Sequence, residues 1–293
     1  VAGALAVGEP VHFSPQAQLL AISPDQSRLL IGRGPSSPLA IAALSPDGIG
    51  PESSIPGSLA SADMAAFSPS GDSAAVRSTE LGKVQVITGL AASPRVAFEF
   101  DIAALASEVR SIAVSDDGAF AILGASDGLS GSVQLFSRDG ARTPLLQAGH
   151  PSSIQLLSGS AKAIVVDTAW NQVTLLDDVL GKATVRVFPA PPESEPSSLD
   201  GAVLSPNGGT LFVLCSGDRQ AFSINLTDNS VSRSDFPSAA TDSGRLAGTS
   251  FMVRSSADGK TAWLVDFSTP EPFSRYIPPI PTVWDGSVQE VEK

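Results

Sequence analysis

The chain repeats itself. Six times a short apolar strand runs into a polar turn and a second apolar strand follows at once: AISPDQSRLLIG (21–32), AFSPSGDSAAVR (66–77), AVSDDGAFAILG (113–124), LLSGSAKAIVVD (156–167), VLSPNGGTLFVLC (203–215) and the weaker RLAGTSFMVR (245–254). Ser23, Ser68, Ser115, Ser160 and Ser205 mark one point of the repeat, with separations of 45, 47, 45 and 45 residues. A unit of this length made of short strands cannot bury both faces of its own sheet, and stacking copies around a ring solves that problem. The expected fold is therefore all-β, a β-propeller of four-stranded antiparallel blades.

Period-2 alternation and β-branched content divide each repeat into strands. In the second these are 63–68, 73–77, 83–88 and 95–100, and in the third 110–115, 119–124, 132–137 and 143–148. The sixth gives RLAGT (245–249) and SFMVRS (250–255) as its first two strands, and the first repeat has a poor fourth strand around SSIPG. The turns SPDQ, SPSG, SDDG and SPNG supply side chains that bond their own backbone and Gly where φ must be positive. The innermost strand of each blade is expected to be apolar on both faces.

The repeats occupy about 14–57, 58–102, 103–149, 150–192, 193–238 and 239–278, so one domain spans 1–293. In the favoured six-bladed reading, 1–13 is a closing strand and 279–293 a tail. The alternative is seven blades, the last a reduced one built from both termini. Closure matters because an open ring would expose a long apolar edge.

Composition narrows function mainly by exclusion. The net charge of −12, from 30 acidic and 18 basic residues without a Lys/Arg run, is unsuited to nucleic acid. No stretch reaches the roughly 18 apolar residues of a membrane span. One cysteine, Cys215, rules out an intrachain disulfide and lies in the apolar run LFVLC, where an inert buried thiol is expected. Asp127, Asp218 and Asp258 sit in Gly-bearing turns, and isolated acids of this kind favour turn chemistry over calcium. His150 has no paired carboxylate or second His in sequence. No G-x-S-x-G elbow, P-loop or H-E-x-x-H occurs. No cofactor, metal or catalytic residue is assigned.

The repeated S-P-D-G turn, the L-x-V-like strand after it, and the G-x-V-x-V strands at 82–86 and 131–135 resemble the YVTN, lactonase-like and WD40-like propellers of bacteria, over about 14–278. The resemblance implies the fold and a setting outside the cytoplasm, periplasmic or secreted. It carries over no lactonase or lyase residues.

Propeller sites lie at one mouth of the channel. Aligning the ends of the second strands gives the column Gly32, Arg77, Gly124, Asp167, Cys215, Arg254. Arg77, Asp167 and Arg254 would then stand a third of a turn apart and hold a carboxylate- or phosphate-bearing ligand, because Arg binds such groups bidentately. The competing reading is a structural network between blades. Trp170, in the turn beside Asp167, is either an aromatic platform or packing against a neighbouring blade. Two functions follow: a non-catalytic scaffold binding a protein or small anionic ligand through one face or the channel mouth, expected to be a monomer; or a lactonase- or lyase-like enzyme acting at that mouth.

Overall fold

The computed structural model describes residues 17–45, 47–103, 105, 108–189, 199–205, 209–215, 220–235, 242–245, 251–255, 262–266 and 273–277. Among them every helix or strand element is a strand, and the strands form six antiparallel sheets in chain order. The first holds β1 (Gln18–Ile22), β2 (Arg28–Gly32) and β3 (Ala40–Ser45). In place of its fourth strand are β4 (Gly48–Ile49) and β5 (Ser53–Ser54), both paired with β3. The second is β6 (Met64–Phe67), β7 (Ser73–Ser78), β8 (Lys83–Thr88) and β9 (Arg95–Asp101). The third is β10 (Glu108–Val114), β11 (Phe120–Ser126), β12 (Gly131–Ser137) and β13 (Arg142–Ala148). The fourth is β14 (Pro151–Leu156), β15 (Ala163–Asp167), β16 (Gln172–Asp177) and β17 (Thr184–Pro189). The fifth is β18 (Leu199–Leu204), β19 (Thr210–Cys215), β20 (Gln220–Asn225) and β21 (Val231–Asp235). The sixth is β22 (Asp242–Arg245), β23 (Phe251–Ser255), β24 (Ala262–Asp266) and β25 (Phe273–Ile277).

The sheets stack like blades. β1 packs beside β6, β6 beside β10, β10 beside β14, and β18 beside β15 and β22. The core lies between sheets and is sorted by the two-residue period of the strand. Ala74 and Val76 of β7 join Leu30 and Ile41 of the first sheet, whereas Ala75 joins Val114 and Leu123 of the third. Ile122 of β11 faces the opposite way and meets Val165 of the fourth. Each fully buried Leu or Ile of this kind contributes on the order of 2 kcal/mol. Phe100 and Phe136 stack across the second and third sheets at 4.2 Å between ring centres.

Burial peaks one strand further out than the sequence implies. β7, β11 and β15 are buried at every position, whereas β6 is half-buried throughout and β1 more open still. The second strand has a strand on each edge and a blade on each face. The first strand borders the centre of the ring, so cover on one side is incomplete. The sixth sheet corrects another expectation. Its first strand is Asp242–Arg245, with Arg245 opposite Met252. Running RLAGT straight into SFMVRS leaves no residues to reverse the chain, and an antiparallel pair needs at least a two-residue turn. The expected closing strand 1–13 and tail 279–293 lie outside the described residues.

The repeated serine has a definite task. The backbone N–H of Ser23, Ser68, Ser115 and Ser205 donates to the carbonyl five residues on, closing the first hairpin of each sheet. The hydroxyl then accepts the returning N–H: Arg28 on Ser23, Ser73 on Ser68, Phe120 on Ser115 and Thr210 on Ser205. In the fourth sheet the residue at this point is Leu157, not Ser160, because Leu157 N–H donates to Lys162 C=O. Leu157 has no hydroxyl, and Ser160 Oγ accepts the Lys162 N–H at 3.3 Å from inside the turn. Ser160 thus does the same work from another position, which is why it aligns by type and not by register.

Candidate functional site

Alternating strand direction puts two kinds of connection on opposite faces of the ring. One face carries the turns between first and second strands and between third and fourth. The other carries the turns between second and third strands and the links from one blade to the next. Arg77, Asp167 and Trp170 all belong to the second face.

The expected column is out of register. Counting from the residue that closes each first hairpin, Arg77 stands level with Gly32, Gly124 and Val166, and Asp167 stands one residue further along, level with Ser78 and Cys215. A one-residue slip turns a side chain to the other face of its sheet. Arg77 shares its face with Ala75 and points forward to the third sheet. Asp167 shares its face with Val165 and points back to that same sheet. The two therefore clasp one blade from either side.

Both are engaged in doing so. Arg77 Nε donates to Asp63 Oδ1 at 2.6 Å, and Nη1 donates to the carbonyl of Val109 in β10. Burial alone would raise the Asp63 pKa, but hydrogen bonds from Thr79 and from Arg77 hold it below the ordinary carboxylate range. Asp167 is 1% exposed. Its carboxylate accepts four backbone N–H groups, from Gly149 at 2.6 Å, His150 at 2.9 Å, Trp170 at 3.0 Å and Ala169 at 3.1 Å. His150 enters this arrangement through its backbone. Arg254 lies in β23 opposite Ser243 and Trp263, and its side chain is outside the described residues.

Trp170 packs against the link between the third and fourth blades. A Cβ added to Gly149 would fall 2.7 Å from the indole, so the ring packs on the inter-blade link where no side chain intervenes. The residue is nonetheless 50% exposed. It has counterparts that sequence reading missed. The same turn in the second sheet exposes Leu81 by 48%, and in the third it exposes Leu129 by 92%. Three successive blades thus present a large apolar side chain from equivalent turns. The available signal was an apolar residue inside a polar turn, ELG at 80–82 and DGLS at 127–130. Beside these stand exposed carboxylates. Glu80 adjoins Leu81, and Asp127 accepts the N–H groups of Leu129 and Ser130 at 2.8 Å each. Those two backbone bonds hold Asp127 below the usual carboxylate pKa.

The opposite face is knit together by Asp116, also missed in the sequence. One oxygen accepts the N–H of Ser70 in the second sheet's turn at 2.6 Å. The other accepts Gly159 N–H at 3.0 Å and Ser158 Oγ at 3.1 Å in the fourth. Burial would raise this carboxyl, but the bonds from Gly159 and Ser70 prevail and lower its pKa. Ser23 and Ser27 hydroxyls lower Asp25 to about 2. Among the described residues no group of three or more His, Cys, Asp or Glu is placed to hold a metal ion. Cys215 is buried in the core between the fourth and fifth sheets. Asp218 and Asp258 lie outside the described residues.

No family model matches the chain, and no curated protein is similar to it in sequence. Solved structures are similar in fold. A catalytically inactive virginiamycin B lyase from Staphylococcus aureus with quinupristin aligns at a TM-score of 0.60 and 14% identity, over 92% of this chain and 87% of that one. A putative 6-phosphogluconolactonase from Bacteroides fragilis aligns at 0.57 and 10% identity, over 88% and 83%. The β-propeller domain of Cps50 (Swd1) from Myceliophteria thermophila aligns at 0.54 and 14% identity, over 74% and 70%. At such identities the likeness concerns fold alone: radially stacked four-stranded sheets make this chain a β-propeller.

Proposed function

We propose that this propeller is a binding scaffold whose partner is a protein segment lying across the face formed by the second-to-third-strand turns. The observation that carries the reading is the exposure of Leu81, Leu129 and Trp170 from equivalent turns of three successive blades. Large apolar side chains repeated on one surface are the anchors an interface needs. Glu80 and Asp127 stand beside them, and the chain carries a net charge of −12. The fitting segment therefore has aliphatic or aromatic anchors flanked by Lys or Arg.

The alternative of an enzyme at the channel mouth draws on the likeness to a lyase and a putative lactonase. Arg77 and Asp167 favour the scaffold, since both are bonded to neighbouring backbone. A single domain of six blades closed by 1–13, working outside the cytoplasm, belongs to the same proposal.

A random-peptide display library panned on the immobilised full chain tests it, with Leu129→Asp as counter-selection. The expected survivors carry apolar residues with Lys or Arg, and bind Leu129→Asp or Trp170→Ala at least about tenfold more weakly. Survivors rich in Asp and Glu, or none that distinguish the variants, would overturn the proposal.

A further inference from the structure

The fifth blade carries a feature that the binding face does not use. Among the chain's four asparagines, Asn171, Asn207, Asn225 and Asn229, Asn225 alone has a hydroxyl residue two positions on, in the triplet Asn225-Leu226-Thr227. Asn-x-Ser/Thr is the acceptor pattern for N-linked oligosaccharide on the surface of exported proteins. Chance also produces this pattern, so its presentation by the fold decides its use.

The triplet opens the turn between β20 and β21. Asn225 N–H donates to Ser230 C=O at 2.9 Å, and Asn225 C=O accepts Asn229 N–H at 2.8 Å. Leu226 pins the turn from below. Its N–H donates to Gly209 C=O at 2.9 Å and its C=O accepts Arg186 Nη1 at 3.1 Å. Its half-buried side chain packs on the core between the fourth and fifth sheets. With the middle residue held inward, Asn225 and Thr227 on either side of it are exposed. Thr227 N–H donates to Asn225 Oδ1 at 2.8 Å. That bond engages the amide oxygen and leaves the NH2 group without a hydrogen bond among the described residues. The turn joins third and fourth strands, so it belongs to the face of Asp116, opposite Leu81, Leu129 and Trp170. A bulky sugar placed there leaves those three side chains uncovered.

We infer that Asn225 is an attachment site for an N-linked oligosaccharide, which rests on the setting outside the cytoplasm proposed above. The donor is a polyprenyl-diphosphate-linked oligosaccharide, and an oligosaccharyltransferase supplies the catalysis. Asn225 Nδ2 attacks the anomeric carbon of the sugar. The N–C bond forms, the bond from that carbon to the diphosphate oxygen breaks, and polyprenyl diphosphate leaves with the electron pair. The nitrogen gives up one of its two protons to a base of the transferase, and nothing is oxidised or reduced. As that proton leaves, negative charge gathers on Oδ1, where the Thr227 N–H already donates.

Expression of the full chain behind a secretion leader in yeast tests the acceptor, with intact mass read on cells and medium together. One discrete glycan mass is expected, removed by peptide N-glycosidase with Asn225 converted to an aspartate. Asn225→Gln and Thr227→Ala are expected to lose it while keeping the melting curve in place, and Thr227→Ser to keep it at lower occupancy. A chain whose leader has been cleaved but which carries no sugar, or carries it at another residue, overturns the inference. The chain isolated from the cells that naturally make it separates this inference from the setting. Exported chain bearing the glycan at Asn225 supports both. Exported chain bare at Asn225 overturns the inference alone, and cytoplasmic chain overturns the setting and the inference with it.

Discussion

Replacing Asp167 by Asn separates a structural carboxylate from a ligand-binding one. The side chain is 1% exposed and accepts four backbone N–H groups, one on Oδ2 and three on Oδ1. Hydrogen bonds to a charged group contribute about 1.5–3 kcal/mol each, and a buried donor left without an acceptor costs about 1–3 kcal/mol. An amide has one acceptor oxygen. Placed at the Oδ1 position, it keeps His150, Ala169 and Trp170 on a neutral acceptor. Its NH2 then points at the Gly149 N–H, two donors facing each other. One charge-assisted bond is lost, an orphan donor is created and three bonds weaken. The expected loss of stability is about 3–5 kcal/mol. At about 2–4 °C per kcal/mol for a large domain, the melting temperature falls by roughly 6–20 °C. Differential scanning calorimetry and urea titration measure this, and amide exchange at Gly149 and His150 should quicken together. A carboxylate held open for a ligand would show the reverse pattern, because its removal leaves no donor unsatisfied. A loss below about 1 kcal/mol would therefore refute the reasoning.

Acid should loosen the ring in a definite window. Asp25, Asp63, Asp116 and Asp117 all have folded pKa values below those of the unfolded chain. Their contributions are complete above about pH 4 and are lost as pH falls through the folded values, toward about 2 for Asp25. Melting temperature followed by circular dichroism should stay level from pH 7 to about 5 and drop below about 4; a fall already complete by pH 5 would contradict this assignment. Thr174 lies in the middle of β16, wholly buried, and its hydroxyl has no hydrogen-bond partner. Thr174→Val keeps the shape and removes the unsatisfied group, so urea titration should show a gain of about 1 kcal/mol, and a loss would show that the hydroxyl is bonded after all.

The fold was readable because strand spacing and turn chemistry are local. Strands predicted at 83–88 and 132–137 are found at Lys83–Thr88 and Gly131–Ser137. What failed was register. Ser160 resembles the other repeat serines in type, yet Leu157 occupies their place, since a hydroxyl reaches the same amide from either side of a turn. The same kind of slip put Arg77 and Asp167 in one column. Placement within a sheet is settled by which backbone groups pair, and in this turn a three-residue offset leaves the apolar pattern intact. Asp116 was invisible for a different reason. Its neighbours are Ser70 and Ser158, more than forty residues away on either side, and nothing local distinguishes it from Asp117.

Polar groups here join what the apolar core leaves loosely held. Hydrophobic contact between blades is non-directional and would tolerate sliding of one sheet over the next. A carboxylate bonded to particular amides does not. The third blade shows how such bonds are distributed. On one face Arg77 reaches into it from the second sheet and Asp167 from the fourth, while on the other face its own Asp116 reaches out to both. Separating the second blade from the third breaks bonds at the two faces at once, and the same holds for the third and fourth. These three blades therefore open as one unit. They are also the blades whose turns display Leu81, Leu129 and Trp170, so the three side chains proposed as anchors stand on blades tied to one another. Rigidity lowers the ordering entropy that a partner must overcome, which is what the proposed binding surface requires of side chains carried on turns.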